Sequence, residues 1–295
     1  MSALREVVFK TTGRLHSASV RYGGLVSSDG SGQLEQSSSQ IARLTRTIET
    51  EVIPRLMIAH KTRGEGCAEE FDPTPSTDEI AEFARIILQH DLAVATSYVE
   101  LLRANGASLE SLFLDLLAPT ARLLGELWTQ DILSFGEVTI GLSRMQQVLR
   151  SLSAPYENEL QPAFNGFRAL LAPTPGEQHS FGLNIVDEFM RRAGWEVVSG
   201  PTMTRVQVIS TLRDEWFDMV GFSLSCETLL DRLTSVIQGI RRSSLNRSIG
   251  VMVGGKVFLE HPELVVSVGA DAMGADGRDA VEQSRRIVGL LAQHR

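Results

Sequence analysis

Residues 167–182 read FRALLAPTPGEQHSFG. An apolar run, Phe167–Ala172, leads into a polar loop stiffened by Pro173 and Pro175, and then into Phe181 and Gly182 at the start of an amphipathic segment. The alternation continues downstream. Short apolar runs at Trp195–Val198, Met219–Ser223, Gly250–Val253 and Ala270–Met273 are separated by helical periodicity over about 180–193, 203–214, 226–242, 257–266 and 278–293. Strands that alternate with helices form a parallel sheet covered on both faces, because parallel neighbours need crossover connections. Five such strands predict a Rossmann-like (flavodoxin-like) α/β domain over 165–295, with a five-stranded parallel sheet in the order 2-1-3-4-5. Ligands of such sheets bind over the carboxyl ends of the strands, so chemistry is expected in the loops after strands one, three and four.

Working outward, the residues before this domain have a different texture. Over 40–155 apolar residues recur at three- and four-residue steps, beginning with Ile41, Leu44, Ile48, Val52 and Leu56. Ser76-x-x-Glu79 and Ser134-x-x-Glu137 are capping boxes, and Asp91 can start a further helix that Gly106 ends. Ser108–Leu117 and Pro119–Trp128 read as two successive helices, with Pro119 in a first turn. The expectation is a helical bundle, joined to the α/β domain through the linker Ser153–Gly166. Residues 1–39 are rich in Ser and Gly, and their composition predicts a flexible tail.

The chain has 295 residues, with 28 Lys and Arg against 36 Asp and Glu and a net charge of −8. That balance opposes a surface built to clamp nucleic acid, so direct DNA contact is not expected as the main mode of action. Two cysteines, Cys67 and Cys226, exclude a disulfide framework and a multi-cysteine metal cluster, and fit a reducing, cytoplasmic setting. No apolar run reaches about 18 residues, so neither a membrane span nor a membrane partner is expected. The sequence shows no G-x-S-x-G elbow, Walker A loop, G-x-G-x-x-G or H-E-x-x-H, and a non-enzymatic role is expected.

The three loops carry the chemistry. His179 follows strand one, where an imidazole can leave the fold and ligate a metal. Glu177 is close enough in sequence to bond the second ring nitrogen, fix the tautomer and raise ligand basicity. Gly182 allows the first helical turn to pack against something flat. Ser223, Leu224 and Ser225 follow strand three, and Gly254 and Gly255 follow strand four, where a missing side chain lets backbone approach a ligand.

Taken together these positions resemble the cobalamin-binding domain shared by methionine synthase, corrinoid mutases and corrinoid photoreceptors. The family's D-x-H-x-x-G loop appears as Glu177-Gln178-His179-Ser180-Phe181-Gly182, with Glu for Asp. Its S-x-L segment appears as Ser223-Leu224-Ser225, with Ser for Leu, and its glycine pair is intact as Gly254-Gly255. The resemblance implies that His179 is the lower axial ligand of cobalt, supported by Glu177. It also implies that the corrinoid tail enters a slot met by Ser223 and lined by Gly254 and Gly255. In the helical part, Gly125-Glu-Leu-Trp128 is similar to the family's G-x-x-W motif, which implies an indole over the upper corrin face. The cofactor would be adenosylcobalamin, methylcobalamin or hydroxocobalamin. The bis-histidine capture of some corrinoid photoreceptors has no counterpart here, because the matching place reads Val138-Thr139. A distal ligand from His16, His60 or His90 stays open.

The strings Val138–Gly141, Arg144–Leu149, Gly176–Gly182 and Gly221–Cys226 narrow the likeness to the PpaA/AerR group of cobalamin-binding antirepressors of photosynthetic bacteria. That resemblance implies a light-responsive regulator acting on a DNA-binding repressor of PpsR/CrtJ type. Two alternatives remain beside it. One is a corrinoid protein carrying methyl groups for a methyltransferase; the other is a haem-binding sensor of the same fold with His179 on iron.

Overall fold

The structure, a computed structural model, describes residues 74–159, 164–200 and 202–292. The tail expected over 1–39, the helix expected through Ile41–Leu56, and His16, His60 and Cys67 lie outside the described residues. The chain divides into two compact units at Val148/Leu149.

The first unit is helical: α1 (Thr77–Gln89), α2 (Leu92–Ala104), α3 (Leu109–Ser111), α4 (Ala118–Thr129) and α5 (Phe135–Glu159), the last running on past the division. Both capping boxes form. The Ser76 hydroxyl accepts the Glu79 N–H at 3.3 Å while the Glu79 carboxylate accepts the Ser76 N–H at 2.8 Å. Ser134 and Glu137 do the same at 3.3 and 2.8 Å. Each such cap stabilises its helix by about 0.5–2 kcal/mol. Phe83, Ile86, Phe113, Leu117, Leu124 and Met145 are fully buried. A guanidinium nitrogen of Arg144 donates to the terminal carbonyls of α1, Ile87 at 2.5 Å and Leu88 at 3.3 Å, groups that a helix end otherwise leaves unpaired.

Two expectations are corrected here. The linker expected over Ser153–Gly166 opens as helix, since α5 continues to Glu159. Ser108–Leu117 and Pro119–Trp128 are not separate helices. α3 passes through a π-helical stretch, Leu112–Leu117, directly into α4, and the Ala118 N–H reaches back to the Phe113 carbonyl. Pro119 lacks an N–H and its ring crowds the carbonyl of the preceding turn; the wider π turn accommodates it without breaking the helix.

The second unit contains β1 (Arg168–Pro173), α6 (Phe181–Arg192), β2 (Glu196–Ser199), α7 (Arg205–Asp214), β3 (Met219–Ser223), α8 (Leu230–Ser243), β4 (Gly250–Gly254), α9 (Lys256–Glu260), α10 (Leu264–Ser267), β5 (Ala272–Gly274) and α11 (Gly277–Ala292). The five strands are parallel and ordered β2-β1-β3-β4-β5. The helix expected over 257–266 is two short helices. Pro262 biases the residue before it away from helical geometry, and His261 sits at φ −133°, ψ 70°.

Alternation along the strands fills two cores. Leu171, Met219 and Met252 pack with Leu183 and Met190 of α6 and Val281 and Ile287 of α11. Leu170, Val220, Phe222 and Val251 pack with Val208 of α7 and Leu233 and Val236 of α8. A fully buried side chain of this kind contributes about 1.5–3 kcal/mol relative to an exposed one. A one-residue slip would turn every strand residue to the wrong face, so the pattern fixes the register.

That register positions the site. Pro173 pairs with Ser223, Ser223 with Gly254, and Gly254 with Gly274. All four lie an even number of residues from the side chains that face α6 and α11. The carboxyl edge of that face therefore carries a row of proline, serine and two glycines, with no bulky side chain.

Candidate functional site

The histidine loop begins as a reverse turn written into its residues. Pro175 and Gly176 occupy the two central positions, Gly176 has φ +96°, and the Glu177 N–H donates to the Thr174 carbonyl at 2.7 Å. Proline followed by a glycine at positive φ is the type II pattern. Thr174 pins the turn to the end of β3: its hydroxyl and its N–H both donate to the Ser223 carbonyl, at 2.9 and 3.0 Å.

The turn places Glu177 inward and His179 outward. The Glu177 side chain is 2% exposed and the His179 side chain 62%. One carboxylate oxygen of Glu177 accepts from the Gln178 N–H at 2.8 Å, the His179 N–H at 2.9 Å and Nδ1 of His179 at 2.6 Å. The other accepts the Ser225 N–H at 2.7 Å, which ties the β1 loop to the β3 loop. Burial pushes this carboxyl up. The hydrogen bonds from the His179 ring, the His179 N–H and the Ser225 N–H outweigh it and hold the group at about 2. The hydrogen bond to Glu177 raises the imidazole above its ordinary value, against the opposing effect of burial.

An ionised carboxylate only accepts, so Nδ1 of His179 carries the proton of that contact. Nε2 of the neutral ring then presents its lone pair outward from a ring of fixed orientation, the state a metal ligand needs. Among the described residues no group of three or more His, Cys, Asp or Glu could hold a metal ion. A single histidine suits a metal that arrives already chelated.

The other expected residues fall around this loop in different ways. Ser223 lies on the row facing α6 and α11, and its hydroxyl is buried without a hydrogen-bond partner. Gly182 sits at the second position of α6, and a Cβ built there meets nothing within 4 Å, so the protein's own packing does not call for glycine. Leu224 is a core residue of the other face and meets the site through its backbone, its N–H donating to the Gly254 carbonyl at 2.9 Å. Gly255, at φ +99°, packs on that same backbone: a Cβ would lie 2.5 Å from the Leu224 oxygen. A Cβ on Gly254 would lie 2.9 Å from the Gly274 oxygen. The glycine pair thus holds the β3, β4 and β5 ends together. Gln178 contributes its N–H to Glu177, and its side chain is exposed.

Trp128 belongs to the first unit, at the end of α4. It is not a core residue of the bundle: it is 41% exposed and its ring lies 6.3 Å from that of Phe135, which is 68% exposed. A Cβ on Gly125, one helical turn earlier, would meet nothing within 4 Å. Thr174 and Gly274 were not expected. The polar residue between two prolines marks the first; nothing local marks the second, whose role depends on register across four strands.

The carboxyl-edge row and the oriented histidine both lie at the carboxyl ends of the strands. Residues 167–284, which lie in the second unit, match the family described as B12 binding domain. The chain is 29% identical over 184 residues to an uncharacterized 20.5 kDa protein in the bchF-crtJ intergenic region of Rhodobacter capsulatus, a match covering 59% of this chain and 90% of that protein. It is 27% identical over 114 residues to a dimethylamine corrinoid protein of Methanosarcina barkeri, covering 38% of this chain and 53% of the relative. It thus spans about half the length of that relative. In fold it is similar to the monomethylamine corrinoid protein of M. barkeri, with a TM-score of 0.61 and 15% identity over 72% of this chain and all of the other. Among the described residues no helix is long and apolar enough to cross a membrane.

The residues present fit a corrinoid. Nε2 of His179 is free to ligate, the Ser223 hydroxyl is buried and lacks a partner, and a Cβ at Gly182, three residues after His179, would meet nothing within 4 Å.

Proposed function

We propose that this chain is a corrinoid-dependent, non-enzymatic regulator of transcription. It holds a cobalamin on His179 and relieves the action of a DNA-binding repressor of PpsR/CrtJ type on photosynthesis genes, in a light-dependent manner. The observation that carries the reading is the 2.6 Å contact between Glu177 and Nδ1 of His179, which leaves Nε2 as the ligating atom. When bound, an alkylated cobalamin supplies a photolabile cobalt–carbon bond. The chain's own residues do the rest. Glu177 keeps the proton on Nδ1 and Ser223 offers a hydroxyl to the tail, while Trp128 with Phe135 is exposed aromatic surface of the first unit.

The regulatory part of the reading draws support from the relative in the bchF-crtJ intergenic region, a location that shares the name of the CrtJ-type repressor. Arginine usage points the same way. Of the arginine pairs on helix faces, Arg191, Arg192 and Arg241 are bound to Asp187, Glu188 and Asp271, and Arg191 and Arg241 also donate to backbone carbonyls. Guanidinium groups spent inside the domain are withdrawn from phosphates, which favours a protein partner over direct DNA contact.

A second reading, a methyl-carrying corrinoid protein, draws on the dimethylamine corrinoid relative. The two separate by experiment. Full-length chain loaded with adenosylcobalamin is titrated onto a PpsR/CrtJ-type repressor in the dark and after illumination. A light-dependent change in affinity of tenfold or more is expected, because a ligand shifts an equilibrium only by its differential affinity for two states. Equal affinity in both conditions, with rapid methyl exchange with a methyltransferase, would favour the carrier. A Soret band on loading with haem, without corrinoid uptake, would favour the haem sensor.

A further inference from the structure

On the face of the sheet that packs α7 and α8, opposite the Pro173–Ser223–Gly254–Gly274 row, the back of the histidine loop forms one wall of a cavity of about 650 Å³. The segment Thr202–Arg205 and the first turns of α8, from Asp231 to Val236, form the others. Small-molecule sites typically have volumes of about 300–1,000 Å³. The lining divides by chemistry. Pro175, Met203 and Val236 are apolar, Gln178, Arg205, Arg232 and Ser235 bring side-chain donors, and two carboxylates also line it, Asp231 and Glu177, the latter already bound to His179 and the Ser225 N–H. None of the four donor side chains has a hydrogen bond or ion pair among the described residues.

The arginines set this cavity apart. Arg168, Arg191, Arg192, Arg213 and Arg241 of the same domain all face carboxylates. Arg205 and Arg232 form no ion pair among the described residues, and they share the cavity with Asp231, which forms none either, so the lining keeps one positive charge in excess once Glu177 is counted with His179 and the loop. The loop is shaped to admit one of them: a Cβ on Gly176 would lie 2.5 Å from a guanidinium nitrogen of Arg232. The positive ends of α7 and α8 open on the same space, which adds to the attraction for negative charge. A planar guanidinium pairs best with a planar or tetrahedral oxyanion.

We infer that this cavity is a second ligand site, for a small organic phosphate or carboxylate. Arg205 and Arg232 hold the anionic group, Gln178 and Ser235 add donors, and the apolar body rests on Pro175 and Met203. An occupant bears on the loop that carries His179, yet its binding does not depend on a corrinoid.

The test uses corrinoid-free full-length chain, so that its failure leaves the corrinoid reading standing. The chain is titrated by calorimetry with inorganic phosphate, pyrophosphate and citrate at constant ionic strength. At least one is expected to bind saturably at about one equivalent, and the preferred anion tells phosphate from carboxylate. The double variant Arg205→Ala/Arg232→Ala is expected to weaken that binding at least tenfold with unchanged thermal stability. Arg285→Ala/Arg286→Ala removes the same charge from the exposed face of α11 and is expected to leave it unchanged. No saturable binding of any of the three, or an equal loss in both double variants, would overturn the inference.

Discussion

Glu177 and His179 are two residues apart in sequence and face opposite ways, one carboxylate 2% exposed and one imidazole 62% exposed, yet their side chains meet at 2.6 Å. The buried partner fixes the exposed one. Glu177→Gln replaces a carboxylate oxygen by an amide NH₂, which must then face an N–H donor from Ser225 or from the His179 side. We expect a 10- to 100-fold loss of corrinoid affinity, the range typical of partners that orient a metal-ligating histidine. Titration followed by visible absorption measures it, and an unchanged dissociation constant would contradict the assigned role.

The same pair sets a pH dependence. Nε2 of His179 can meet cobalt only when unprotonated, and the contact with Glu177 raises the ring above its ordinary 6.5. Corrinoid ligation should therefore weaken as pH falls through that raised value. In the corrinoid-free protein, the His179 contribution to stability is complete below 6.5 and is lost as pH rises through the raised value. The Glu177 contribution is complete above 4.5 and is lost as pH falls from there through about 2. Urea unfolding across this range should show the acid limb in the parent and a flatter one in Glu177→Gln; parallel curves would speak against it.

Two glycines should respond in opposite ways. Alanine at 255 meets φ +99° and a Cβ 2.5 Å from the Leu224 oxygen, so we expect a loss of about 2 kcal/mol or more in unfolding free energy. Alanine at 182 enters open space in a helix, where it should leave stability unchanged or raise it by up to about 1 kcal/mol. Corrinoid affinity should nonetheless fall in Gly182→Ala. If it does not, the open space beside α6 is not where the ligand lies.

Ser223→Ala removes a buried hydroxyl that has no partner in the protein. An unsatisfied buried group costs about 1–3 kcal/mol, so the corrinoid-free variant should be as stable as the parent or more so. Its corrinoid affinity should fall several-fold. Chemical denaturation and binding titration read the two effects separately, and a destabilised variant with full affinity would reverse the assignment.

The fold was legible because each strand and helix declares its own period. Met219–Ser223 has the same bounds in the sequence reading and in the structure; alternation gives the parallel sheet, and the flavodoxin-like order expected for five strands, 2-1-3-4-5, is the order observed. The π stretch before Pro119 was not legible, since proline marks a boundary in sequence and only packing decides whether the helix breaks. In the site, His179 and Glu177 were visible because their partners are local. The contact of Glu177 with Ser225 spans 48 positions and that of Thr174 with Ser223 spans 49, so both depend on the sheet being formed. The exposure of Trp128 was equally hidden, because its spacing on α4 suits a core residue as well as a surface one.

The central claim is that His179 binds the metal of a corrinoid. The most direct measurement is the visible spectrum of the full-length chain loaded with hydroxocobalamin and freed of excess, beside that of His179→Ala. The account predicts about one corrinoid per chain in the parent with a histidine-ligated spectrum, and in the variant reduced retention with a spectrum shifted toward the form lacking that ligand. A parent that retains no corrinoid, or a variant with the parent's spectrum and affinity, would contradict it.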